Sequence, residues 1–104
     1  MVKFKIEWST PARSDLIEIL EFYINRNGSV SYSKKLNSKI KKSLILISKN
    51  PYLGIKTDFK NVRALITGDY QIIYEIAEDV ILVSMIWDSR RNPEDKKIGT
   101  RIKK

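Results

Sequence analysis

The 104-residue chain contains neither histidine nor cysteine, so the usual general base, the usual nucleophile and the common transition-metal ligands are all missing. There is no P-loop and no GxGxxG. A metalloenzyme, a triad hydrolase and a nucleotide hydrolase are therefore poor readings, and no metal or cofactor is expected. The groups left to act on a substrate are arginine and lysine. A guanidinium holds negative charge on phosphoryl oxygens through bidentate, permanently charged contacts. Arg63 opens one apolar run, and Arg90 and Arg91 directly follow another. Lys56 and Lys60 precede the first run, and Lys96 and Lys97 follow the second. Two ordinary alternatives stand beside the chemical one: a surface ion pair of Arg63 with Glu75, and an ion pair of Asp88 with Arg90 and Arg91.

The stretch from Val62 to Asn92 must position these cations. β-Branched and aromatic residues, punctuated by Gly68-Asp69 and Glu78-Asp79, predict antiparallel strands at Val62 to Ile66, Tyr70 to Ala77 and Val80 to Asp88. A two-residue turn at Glu78-Asp79 places Tyr70, Ile72, Tyr74 and Ile76 opposite Trp87, Met85, Val83 and Ile81 on one apolar face. A three-residue loop at 67–69 puts Val62, Ala64 and Ile66 on that face and Arg63 on the other, which avoids burying an unpaired guanidinium. Arg63 and Arg90 then share an open face with an aliphatic floor.

Upstream, Val2 to Trp8 alternates and predicts a further strand. Ser9-Thr10-Pro11 reads as a helix start, and Asn25-Arg26-Asn27-Gly28 as its end. A second helix begins after Ser29 or Ser31 and stops at Asn50-Pro51. The two apolar stripes must meet the sheet's core face, with Leu16, Leu20, Tyr23, Leu36, Ile40, Leu44, Ile72, Tyr74, Val83 and Met85 buried. Tyr70, Tyr74, Trp87 and Trp8 read as core rather than base-stacking residues. Residues 51–61 form a surface connection anchored by Leu53, Ile55 and Phe59. The resulting fold is α+β, β-α-α-β-β-β, an antiparallel sheet with a helical hairpin packed on one face. It occupies the whole chain as one domain, 1–104, with 93–104 a basic tail.

Hydrophobic residues at 42% and charged residues at 31% fit an ordinary globular chain, with no apolar run long enough for a bilayer and no secretion signal. The expected location is the cytoplasm, without a membrane partner. The net charge of +8 is uneven: 0 over residues 1–27, +7 over 28–61, −4 over 62–89 and +5 over 90–104. Such segregation favours a polyanionic target or an acidic protein partner.

The order of elements, together with NPYLG, VRAL, DYQIIYEI and VSMIWDSRRNP, resembles the RelE/ParE superfamily of bacterial toxins from type II toxin-antitoxin pairs. The resemblance implies a cognate antitoxin as partner and, for RelE-type members, metal-independent cleavage of messenger RNA on the ribosome. On that reading Arg63, Arg90 and Arg91 are catalytic, and Lys56, Lys60, Lys96 and Lys97 hold RNA phosphate. Many ribonuclease members carry a tyrosine or histidine near the C-terminus as proton donor, and after Trp87 this chain has neither. ParE-type members instead inhibit DNA gyrase by binding, and the long FYINRNG…SYSKKL hairpin is similar to theirs. Net positive charge and the retained arginines incline the balance towards the mRNA endoribonuclease, with gyrase inhibition as the alternative. A non-toxic protein-binding regulatory module is the second alternative.

Overall fold

The computed structural model describes residues 3–102. Strand β1 (Lys5–Trp8) leads into helices α1 (Thr10–Asn27) and α2 (Ser31–Lys49), followed by β2 (Ile55–Lys56), β3 (Val62–Thr67), β4 (Tyr70–Ala77) and β5 (Val80–Asp88). The sheet order is β1-β5-β4-β3-β2. All pairs are antiparallel except β1 with β5, which run parallel, so the sheet is mixed at one edge. Val2, assigned to the first strand by its alternation, lies outside the described residues.

The helix ends follow their sequence signals. Ser9 Oγ accepts from Ala12 N, Pro11 sits in the first turn, and Gly28 closes α1 at φ 65° while its N–H donates to Ile24 O. The second helix buries Leu36, Ile40, Leu44 and Ile47 against Ile72, Tyr74, Ile81 and Val83. From α1 only Ala12 is fully buried; Leu16, Leu20 and Tyr23 pack on the core half-buried.

The register differs from expectation at two places. Gly68-Asp69 is a two-residue turn, with Thr67 opposite Tyr70, so Arg63 faces Tyr74 on the helix side and Val62 and Ala64 turn to the opposite side. Arg63 is tolerated on this side because its guanidinium is not left unpaired. In the structure the loop after α2 supplies carbonyl partners, Gly54 O at 2.7 Å and Tyr52 O at 3.3 Å. Second, a β-bulge in β5 beside the Ile73/Tyr74 step sets Tyr74 opposite Val83 but Ile73 opposite Met85, leaving Ser84 as the extra residue. Beyond it Ile86 faces the helices, and Met85 and Trp87 face away from them.

The side expected to be open is covered. Ile98 and Ile102 of the tail pack over a second core of Val62, Ala64, Ile73, Met85 and Trp87. Short 3-10 turns at Pro93–Asp95 and Ile98–Thr100 shape the tail, and Arg101 fastens it. Arg101 makes a two-pronged contact with Asp15 at 2.8 and 3.0 Å and donates to Ser84 O at 3.1 Å. Asp15 also accepts from Ile86 N at 3.1 Å. The loop anchors are different too: Leu53 and Ile55 are exposed, whereas Pro51 is buried and Tyr74 holds the turn. Its hydroxyl donates to Pro51 O at 2.7 Å and accepts from Gly54 N at 2.9 Å. Only glycine fits position 54, where a Cβ would lie 2.7 Å from that hydroxyl.

Asp15→Ala removes the acceptor shared by Ile86 and Arg101. It should lower stability by about 1.5–3 kcal/mol, the range for hydrogen bonds to charged groups, and Arg101→Ala by less, because Asp15 still serves Ile86. Urea midpoints at unchanged slope measure both, and an Asp15→Ala midpoint equal to that of the parent would disprove the assignment.

Candidate functional site

Arg90 stands just past β5, where the strand's last residue, Asp88, turns back to meet it. Asp88 Oδ1 accepts from Arg90 N and Nε, and Oδ2 from Nη2, all at 2.9 Å. The Arg90 guanidinium beside it holds the Asp88 carboxyl below the usual carboxylate range. Arg90 Nη2 also donates to Tyr23 OH at 3.1 Å, and Tyr70 OH donates to the same oxygen at 3.1 Å. Accepting two hydrogen bonds, first from Tyr70 and then from Arg90, Tyr23 has its pKa lowered. Burial and its role as donor push Tyr70 upward. These groups line a groove of about 490 Å³ between α1 and the end of β5, together with Phe22, Arg26 and Arg91. The expected ion pair of Asp88 with arginine is present.

Arg91 lines the same groove. Its guanidinium lies 4.5 Å from the centre of the Trp87 ring, and Trp87 faces the tail side of the sheet.

Arg63 belongs to the opposite end of the strands. Besides its two carbonyl contacts, its guanidinium sits 5.1 Å from the Tyr52 ring centre, so it fixes the turn after α2. The alternative pair with Glu75 does not form: Arg63 shares the face of Tyr74, and Glu75 points to the other face, where it accepts from Ser84 Oγ at 2.7 Å. Arg63 and Arg90 thus do not share an open face. Their anchors on β4, Tyr74 and Tyr70, are four residues apart, about 13 Å at ~3.3 Å per residue.

The lysines form two groups. Lys56, Lys96 and Lys97 rim a groove of about 500 Å³ at the β2–β3 edge, and Lys96 Nζ is held by Gln71 Oε1 at 3.0 Å. Lys60 and Arg63, again with Lys56, line a neighbouring depression of about 430 Å³ with Tyr52. The seven cations named from sequence therefore fall into three places rather than one. Among the described residues no three acidic side chains come together as a metal site. Sequence reasoning missed Tyr23, which it counted as core; the available signal was that two tyrosine hydroxyls, on α1 and β4, both need polar partners near the sheet's end. It also missed Tyr52 and Gly54, whose carbonyls receive Arg63.

The structure is similar to a chain of the chromosomal ParDE system of P. aeruginosa, with a TM-score of 0.71 and 18% identity over 83% of this chain and 96% of that one. It is also similar to a chain of the RelBE2 toxin-antitoxin complex of Mycobacterium tuberculosis, at a TM-score of 0.62 and 15% identity, covering 84% and 99% of the two chains. Among curated proteins none matches the sequence. Residues 6–93 match the family described as the ParE toxin of the type II toxin-antitoxin system, parDE. The chain belongs to that family, a member of the RelE/ParE superfamily. No helix among the described residues is long and apolar enough to cross a membrane.

Because the folded state holds the Asp88 carboxyl below its ordinary range, the contact stabilises fully above about pH 4 and is lost as pH falls through the folded value. Asp88→Asn should accordingly be less stable than the parent at pH 7, with the gap closing below about pH 4. Urea titrations across that range test this, and a gap that stays constant down to pH 2 would rule it out.

Proposed function

We propose that this toxin arrests growth by binding DNA gyrase, the alternative of the sequence reading, rather than by cutting messenger RNA. The observation carrying this is the dispersal of the arginines. Phosphoryl cleavage requires guanidinium groups converging on one phosphate with their donors free. Arg63 is engaged with two backbone carbonyls at the far end of the strands, Arg90 with Asp88 and Tyr23, and Arg91, in the same groove as Arg90, with the Trp87 ring. Each acts as a strut. An inhibitor that works by binding needs no such convergence. The family match to ParE supports the same choice, as does a hairpin of 18 and 19 residues that exposes Ile17, Phe22, Ile45 and Leu46.

Expressed alone, the chain should stop bacterial growth, and co-expression of an adjacent small antitoxin gene should relieve the arrest. With purified gyrase and supercoiled plasmid it should trap cleaved DNA, and on programmed ribosomes it should leave messenger RNA intact. Ribosome-dependent cleavage that falls roughly a hundredfold or more in Arg63→Ala or Arg90→Ala, the effect of removing a transition-state contact of about 2.7–4 kcal/mol, would restore the nuclease reading.

A further inference from the structure

Helix α2 carries six lysines, Lys34, Lys35, Lys39, Lys41, Lys42 and Lys49, and no acidic residue. All six are exposed. Lysines that serve only to solvate a helix are usually mixed with acidic residues, because opposite charges three or four positions apart attract and like charges repel. Here Lys35, Lys39 and Lys42 follow one another at those spacings, and among the described residues none of the six lies within ion-pair distance of a carboxylate. Asp69, which shares a recess with Lys35 and Lys39, is paired with Arg90 at 3.7 Å. Asp15 and Glu18 of α1 line a groove to which α2 contributes nothing. The repulsion along α2 is therefore not relieved by an ion pair within the fold.

The pattern within the face selects the kind of polyanion. At about 100° per residue the six lysines occupy an arc of roughly 160°, and Leu36, Ile40, Leu44 and Ile47 lie diametrically opposite, in the core. Lys34 and Lys41 form one row, extended by Lys3, which shares a depression with Lys41 beside β1. Lys35, Lys39 and Lys42 form a second row. Between the rows run Ser31, Ser38 and Ile45, all exposed and uncharged. Cations thus stand on both flanks of a cylinder that is about 10–12 Å across with its side chains. The major groove of B-form DNA is about 12 Å wide and has phosphates along both walls, so each row meets one wall and the serines leave room at the floor. The major groove of A-form RNA is too narrow for side chains to enter. A helix lying on a membrane turns its apolar face to lipid, whereas that of α2 is spent on the sheet. An acidic polypeptide has no pair of parallel anionic walls. The midline holds no arginine, asparagine or glutamine to read a base edge, and Asn37 is half-buried to one side. We propose that the outer face of α2 binds duplex DNA across the major groove, through phosphates and without sequence preference. This goes beyond the gyrase reading and does not rest on it, since it makes DNA itself a ligand of the free chain.

The probe is a fluorescein-labelled sixteen-base-pair DNA duplex, titrated with the full chain and followed by anisotropy at several salt concentrations. With contacts from Lys3 and the five lysines of the two rows, log K should fall against log salt with a slope of about −5. Lys35→Gln/Lys39→Gln/Lys42→Gln should weaken binding at least tenfold at ~100 mM salt and reduce the slope by about 3. Ser38→Glu, which sets a carboxylate between the rows, should also weaken it at least tenfold. Lys56→Gln/Lys60→Gln/Lys97→Gln removes the same charge from the other side of the fold and should change the affinity less than threefold. All of these side chains are exposed, and far-UV circular dichroism checks that each variant folds. Duplexes rich in A·T and in G·C should bind alike. The proposal is overturned by any of four results: no binding, equal loss in the two lysine triples, tighter binding of a duplex RNA of the same length, or retention on phosphatidylserine vesicles that the DNA does not displace. Gyrase is absent from these titrations, so their failure leaves the gyrase reading standing, and a failure to trap gyrase-cleaved DNA leaves them untouched.

Discussion

Strand β1 stops at Trp8, opposite Val83, while β5 continues to Asp88, so the outer edge of β5 is left without a neighbouring strand over its last residues. A buried strand edge that fails to find partners costs about 1–3 kcal/mol for each abandoned group. Here the Ile86 N–H meets Asp15 of α1 and the Ser84 carbonyl meets Arg101 of the tail, and the two side chains form an ion pair with each other. One carboxylate thus ties a helix, a bulged strand and the C-terminal segment together. Much of the rest depends on it. The bulge at Ser84 sends Ile86 to the helices and Met85 and Trp87 to the far side, and that far side then requires a cover, which Arg101 holds in position.

The same economy of polar contacts governs the other end of the sheet. After α2 the chain must turn sharply from Asn50 to Ile55, and a turn of that kind exposes peptide groups to a partly apolar setting. Tyr74 and Arg63 answer this need from adjacent strands, the tyrosine hydroxyl bridging Pro51 O and Gly54 N, and the guanidinium accepting no bonds but donating to Gly54 O and Tyr52 O. Burial raises the pKa of Tyr74 and keeps the hydroxyl neutral, able to donate and accept at once. Arg63 thus supplies donors to carbonyls that lie beyond the short β2.

The helices, the three strands from Val62 to Asp88 and the Glu78-Asp79 turn were legible because each has a local cause, a serine cap, a glycine at positive φ, an alternating run, whereas the two-residue β2 within the expected surface connection was not. The sides of the sheet were less so. A single extra residue at Ser84 reverses every later side chain of β5, and the run ILVSMIWD is apolar on both parities, so the pattern contains nothing to mark the slip. Likewise, the aversion to burying Arg63 is sound only when no acceptors are near, and the acceptors come from a loop whose path cannot be read from its own residues. The tail was ambiguous for a related reason: Ile98 and Ile102 have value only once Met85 and Trp87 have been turned towards them. The candidate site suffered most, since it was inferred from cations placed on a face that does not exist in that form. The cations named from sequence are spread over three places on the fold.

A charge of +8 on a chain this size raises the question of where the cations are tolerated. The arginines are largely absorbed by the fold: Arg101 by Asp15, Arg90 by Asp88, Arg63 by carbonyls and Arg91 by an indole face. The lysines behave differently. All six in α2 are exposed, that helix contains no acidic residue, and no described lysine is within ion-pair distance of a carboxylate among the described residues. Arginine's planar, weakly hydrated group suits internal bridging, whereas the ammonium of lysine keeps its water and projects a field outward. The division of labour follows from that difference. Structural electrostatics is carried by arginine within the sheet's ends, and the outward positive field is left to lysine on the hairpin and at the β2–β3 groove.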